Sequence, residues 1–150
     1  MSERRLLGYC GMYCGDCLGC SGVIADASSE FLKVLDRYEF EKTAFHVFPT
    51  QLDEYDKFID MLEFMGGLRC KTNCRDVDGG ESKCEVRQCA VDNGYFTCNE
   101  CEGFEECEKL ENILGGLHLD SCRKNLRGIN KLGLDTWLKE GKRHHYWDME

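Results

Sequence analysis

At 150 residues, with 12 cysteines and a formal charge of −9, the chain fits one domain, or a core with a metal-stapled extension, and is thin for two independent cores. The acidic balance, to which ionised thiols add, argues against non-specific binding to nucleic acid or to an anionic membrane. The start, MSERRLLGYCGMYCG, has no secretory apolar run and no later stretch reaches membrane-spanning length, so a cytoplasmic setting is expected, where clustered thiols bind metal rather than form disulfides.

The first block, Tyr9 to Gly22, reads YCGMYCGDCLGCSG and has neither helical nor strand period, which predicts a tight loop shaped by what its cysteines bind. A helix is expected next, with Ser28 or Ser29 as N-cap, Glu30 in its first turn, and Phe31, Leu35 and Tyr38 at helical spacing. FEKTAFHVFPT reads as an apolar link. After Pro49, Thr50 and Asp53 resemble a cap, so a second helix is predicted from about Leu52, ending at Gly66-Gly67. Its apolar stripe is Leu52, Tyr55, Phe58, Ile59, Leu62 and Met65, with Asp53, Glu54, Asp56, Lys57, Asp60 and Glu63 facing away, which predicts that the two helices pair.

A second cysteine block, residues 70–107, is broken by a turn signal at Asp78-Gly79-Gly80 and by Gly94 after a short helix, CEVRQCAVDN. Another short helix is predicted near Phe104. The tail, 121–150, carries seven Lys/Arg against four Asp/Glu from Cys122 onward and reads as a basic solvated helix on an acidic body. Two helical pieces are expected in it, anchored by Leu126, Ile129, Leu132, Trp137 and Leu138 and separated by Gly133. With no strand run, the expected fold is small and mostly α: one domain over 1–150, with a helical pair at about 28–66 between cysteine blocks 9–22 and 70–107, and metal-stapled loops.

The cysteines carry the chemistry. In a C-x2-C pair two sulfurs reach one ion from a turn whose N–H groups bond them, and Cys14-Gly-Asp-Cys17-Leu-Gly19 and Cys98-Asn-Glu-Cys101-Glu-Gly103 both have the form C-x2-C-x-G. The glycine is expected to supply a positive φ. Cys84 and Cys89, five apart, would be rotated by about 140° on one helix and could not share an ion, unless Cys84 lies ahead of the helix and gains from its dipole. The twelve candidate ligands fall by chain order into Cys10/Cys14/Cys17/Cys20, Cys70/Cys74/Cys84/Cys89 and Cys98/Cys101/Cys107/Cys122. Cys122 and Cys20 also suit inert buried thiols.

Zinc is the expected metal, with an iron-sulfur cluster as the alternative, because four thiolates serve both. Cys10, Cys14 and Cys17 have the C-x3-C-x2-C spacing of radical S-adenosylmethionine enzymes, but Asp16 stands where these carry an aromatic residue, and the chain lacks their strand-helix alternation. A thioredoxin-like redox site lacks its setting too. His118 can complete a three-thiolate site with Cys98, Cys101 and Cys107, whereas His46 reads as packed and His144-His145 as solvated, with Tyr146 and Trp147 docking the tail. No catalytic constellation is present, so enzymatic activity would require a metal with an open position.

CGMYCGDC, CEVRQCAVDNG, CNECEGFEECEKL and NLRGINKLGLDTWLKE, in this order from about Gly8 to Glu140, resemble an uncharacterised family of cysteine-rich bacterial and archaeal proteins, catalogued as a domain of unknown function. The resemblance implies a prokaryotic source and zinc binding. It carries over Cys10, Cys14, Cys17, Cys70, Cys74, Cys84, Cys89, Cys98, Cys101 and Cys107 as recurrent, with Cys20 and Cys122 additional. The chain departs from that pattern in the three residues between Cys70 and Cys74 and in FEEC where FPC-like segments are usual. The function expected is therefore metal binding through structural sites that support a protein partner.

Overall fold

A computed structural model describes residues 3–70, 73–76 and 84–148. The turn expected at Asp78-Gly79-Gly80 lies outside the described residues. Among them the α-helices are α1 (Glu3–Leu6), α2 (Leu18–Ser21), α3 (Val23–Arg37), α4 (Phe40–Val47), α5 (Tyr55–Gly66), α6 (Glu85–Asp92), α7 (Glu108–Glu111), α8 (Leu119–Leu132) and α9 (Leu134–Glu140). Short 3-10 turns cover Cys14–Asp16, Cys98–Glu100, Phe104–Glu106 and Ile113–Gly116. The fold is mostly α, as the periodicity predicts, and the described residues hold one isolated β-bridge, Leu7 with Tyr13. The chain divides into two compact units, residues 1–16 with 71–150, and residues 17–70.

In the 17–70 unit, α3 packs on α5 through Ala25, Leu35, Tyr55 and Leu62, which are buried, with Phe31 edge-on to Phe58 at 6.1 Å. The helical pair is as expected, but three boundaries are not. The first helix begins at Val23 rather than behind Ser28, because Gly22, at φ 72°, turns the chain between α2 and α3 and lets VIADA run into the helix. Ser28 is then a buried mid-helix residue, and Tyr38, at the far end, is 71 % exposed. The second helix begins at Tyr55, since residues 50–54 form turns and Glu54 caps it without a side-chain bond. FEKTAFHV, read as a link, is α4, with Ala44 buried.

In the other unit α8 is the central beam. One face buries Cys122, Leu126 and Ile129 and the polar Asn125, while Leu132 stays largely exposed. Trp137 and Leu138 of α9 join Leu7, Tyr13 and Ile129 in one core cluster; Val86, Phe104, Leu110 and Leu126 make a second, against which Cys10, Cys84, Cys98 and Cys107 pack. Gly11, at φ 87°, lets the first loop lie on α8: a Cβ there would stand 2.8 Å from Leu126 Cγ and 3.1 Å from the Cys122 carbonyl oxygen.

The tail is docked rather than solvated. Fully buried Asn125 donates to the His144 carbonyl (3.0 Å) and accepts from the His144 N–H (2.8 Å). The Arg143 guanidinium lies 3.8 Å from the Tyr13 ring centroid, and His145 Nε2 stands 3.3 Å from Asp16, with its side chain only 9 % exposed. Asn125 was invisible as an anchor in the sequence, because a helical asparagine normally points to water. Asn125→Ala would leave both His144 backbone groups without their buried partner, so a loss of about 2–4 kcal/mol is expected in chemical denaturation, together with faster proteolysis after Gly141.

Candidate metal centre

Four cysteines line one small, partly open cavity. Cys89 comes from α6, Cys98 and Cys101 from the 3-10 turn and its end, and Cys107 from the N-cap of α7; together with Ala90, Tyr95, Phe104 and Leu110 they line a cavity of about 30 Å³. The apolar wall comes from CEVRQCAV and FEECEKL, whose alternate faces supply the core cluster behind the sulfurs. Burial, and then the neighbouring thiols of Cys10, Cys107, Cys89 and Cys101, push Cys98 up to about 12, because clustered thiolates in an apolar wall repel one another. The Lys109 ammonium bonds the Cys89 sulfur and is itself held above its ordinary range, and the Asn93 amide stands 3.8 Å from the same sulfur.

A second group lies beside it. The Cys122 S–H donates to the Cys10 sulfur, and this bond brings the Cys10 thiol down to about 7 against the opposing effect of burial, with the Met12 N–H and the Arg75 charge assisting. Cys122 is correspondingly held far above the usual thiol range, first by that bond and then by burial. Cys74 and Cys10 flank Gly8: a Cβ at Gly8 would lie 3.4 and 3.5 Å from their sulfurs. Burial raises Cys74, the Tyr9 N–H opposes this, and Cys10 and Cys84 are among its charged neighbours. Cys84 is the N-cap of α6, and its sulfur accepts from the Arg87 N–H at 3.5 Å.

The spatial grouping therefore cuts across chain order. Cys89 joins Cys98, Cys101 and Cys107, whereas Cys122 joins Cys10, near Cys74 and Cys84. Cys84 sits ahead of α6 as its N-cap, the case in which helix geometry leaves the two sulfurs free to converge, yet only Cys89 lines the cavity, while Cys84 lies near Cys74. In the 17–70 unit, Cys70 reaches back to Cys17, the N-cap of α2, with its N–H on the Gly19 carbonyl at 2.9 Å. A Cβ at Gly19 would stand 3.2 Å from the Cys70 sulfur and 3.8 Å from that of Cys17. Cys20 lies within α2, and Cys14 opens the first 3-10 turn.

The two C-x2-C-x-G glycines thus differ from the expected role. Neither has a positive φ; Gly19 makes room for sulfur, and Gly103, at φ −92°, has nothing within 4 Å of a Cβ position. His118, which the sequence left open as a fourth ligand, is buried at the start of α8. Its ring is edge-on to Tyr146 at 4.7 Å, burial and then the His145 charge lower its pKa, and its Nδ1 is buried with no hydrogen-bond partner among the described residues.

Arg75 holds this centre together and was missed in the sequence, where its only signal was adjacency to Cys74. Its guanidinium lies between the Tyr9 and Phe96 rings, 4.1 and 3.9 Å from their centroids, and donates to the Leu7 and Phe96 carbonyls. Thr97 Oγ1 and the Cys98 N–H both donate to the Tyr9 carbonyl at 2.8 Å. The loop bearing Cys10 is thereby fixed to the loop bearing Cys98, and only a planar, forked cation can serve two rings and two carbonyls at once.

Among the described residues, no three His, Cys, Asp or Glu side chains form a ready-made metal site. No disulfide is found among the cysteines of the described residues. The chemistry of the donor set fits a soft cation: four sulfurs on a small apolar-backed cavity, with a lysine and an amide at their outer edge, as metal thiolates require.

Fold and site define a small helical protein built around cysteine-lined loops. The chain belongs to a family of proteins of unknown function (DUF3795), whose model matches residues 6–112. That match takes in every cysteine except Cys122; the NLRGINKLGLDTWLKE segment, included in the resemblance drawn from the sequence, lies beyond it. The chain matches no curated protein and no solved structure. No helix among the described residues is long and apolar enough to cross a membrane.

Proposed function

We propose that this chain is a zinc-binding protein whose metal sites are structural and whose helical surface serves a protein partner in a reducing, cytoplasmic setting. The observation that carries this reading is the convergence of Cys89, Cys98, Cys101 and Cys107 on one cavity from three separate elements. Four half-buried thiols gathered against an apolar wall are a poor use of that wall unless a cation lets them ionise. Four thiolates from short turns suit tetrahedral zinc, and the same four would also serve an iron-sulfur cluster.

Cys89, Cys98, Cys101 and Cys107 would hold one ion. Cys10, Cys74, Cys84 and Cys122 are the donors for a second, and Cys17, Cys20 and Cys70 offer thiols in the 17–70 unit. A site closed by four protein sulfurs leaves no position for substrate, which suits a structural role rather than catalysis.

Anaerobic purification followed by elemental analysis and an absorption spectrum tests this. Zinc at one or more ions per chain, with no visible absorption, is the expected result. Iron with acid-labile sulfide and a brown colour would establish the iron-sulfur alternative, a redox or sensing role, in its place.

A further inference from the structure

The 17–70 unit carries a second candidate site, far from thiol chemistry. A groove of about 710 Å³ opens between α3, α4 and α5, within the size range of ligand-binding clefts. Its floor is apolar, made by Leu32, Leu35, Phe40 and Ile59. Its walls carry six carboxylates, Asp36, Glu39, Glu41, Asp56, Asp60 and Glu63, against a single cation, Lys42.

Lys42 pairs with Glu39, and the other five carboxylates have no ion pair among the described residues. Asp56, Asp60 and Glu63 recur at helical spacing along α5 and so present one acidic edge. In the sequence these residues read as a solvated polar face; they are exposed as expected, and the packing of α3 against α5 sets them along the border of a shared cleft.

Tyr55 gives the second, independent indication. It lines the groove, and although the residue as a whole is only 7 % exposed, its hydroxyl makes no hydrogen bond to another described residue and is not among the fully buried polar atoms, so it reaches the solvent of the groove. Burial raises its pKa, and the charges of Glu41 and Asp56 add to this, which places those carboxylates around the ring. The hydroxyl is thus a donor open to whatever occupies the groove.

We propose that this groove docks a lysine- or arginine-rich amphipathic segment of a partner protein. Aliphatic stems of lysine or arginine lie on the apolar floor while their charged heads reach the wall carboxylates. A peptide backbone also offers carbonyl oxygens to accept from the Tyr55 hydroxyl, which a free polyamine, carrying only N–H donors when protonated, does not. The groove lies wholly within one unit and does not depend on the metal reading.

The test uses the full chain as purified and a fluorescein-labelled hexapeptide alternating lysine and leucine, read by anisotropy. Saturable binding is expected, weakened roughly tenfold by combining Asp60→Asn with Glu63→Gln, and roughly threefold by Tyr55→Phe. Circular dichroism confirms that each variant is folded. Combining Glu30→Gln with Glu54→Gln removes two carboxylates of the same unit outside the groove, and should leave affinity unchanged. No saturable binding, or equal loss in the groove and control variants, overturns the proposal. Spermine displacing the peptide at equal or lower concentration assigns the groove to a free polyamine and likewise overturns it.

Discussion

Cys98→Ser is expected to release one bound metal ion per chain and to unfold the unit formed by residues 1–16 and 71–150, whereas Gly103→Ala, in the same loop, should do neither. Cys98 lines the four-cysteine cavity and also faces Cys10 of the neighbouring group, so its loss opens one site and disturbs the other. Structural zinc contributes about 10–16 kcal/mol in apparent binding free energy, as large as the whole stability of an ordinary domain. Chelation of the wild-type protein should have the same effect, followed as a fall in helical circular dichroism alongside released zinc.

The pH dependence of the two forms should have opposite sign. Without metal, Cys98 titrates above its ordinary value of 9.0, at about 12, so the stability it contributes is complete below about pH 9 and is lost as pH rises through about 12. With metal bound the thiolates are the stabilised form, and stability is instead lost as acid displaces the ion. Equal pH profiles with and without chelator would count against a metal at Cys98.

Gly11→Ala is the second large effect. A Cβ at φ 87° is strained on its own, by about 1–2 kcal/mol, and here it would also stand 2.8 Å from Leu126 Cγ. Leu126 is fully buried within the second core cluster and α8 cannot move aside without disturbing Cys122, so overpacking adds about 1–3 kcal/mol. A fall in Tm on the order of 10 °C follows for a chain of this size. Because Gly11 follows Cys10 directly, the same substitution should reduce bound metal. Gly103→Ala is its control, since nothing stands within 4 Å of the added carbon and its φ is ordinary.

The cysteine chemistry shows where sequence reasoning reached and where it stopped. Helix geometry excluded a shared ion only for Cys84 and Cys89 both within one helix; Cys84 is instead the N-cap of α6, and packing decides that it lies near Cys74 while Cys89 lines the cavity. Chain order, by contrast, paired Cys122 with Cys98 and Cys70 with Cys74. Cys122 faces Cys10 because α8 crosses beneath the first loop, and Cys70 meets Cys17 because the α3–α5 hairpin returns the chain to where it began. Neither proximity is encoded in local spacing.

Local signals settled what local physics controls. The apolar stripe of α5, the α6 segment ahead of Gly94, and the break at Gly133 between α8 and α9 are properties of a few consecutive residues, and the sequence determined them. The mostly helical class followed from the same periodicities. The partners of polar side chains were decided by packing: Asn125 clamping the tail, Arg75 spanning two rings, and six exposed carboxylates gathered around one groove. Hydrogen bonds and charges take their meaning from what lies across from them, and for this chain those neighbours come from segments tens of residues away, which only the tertiary structure brings together.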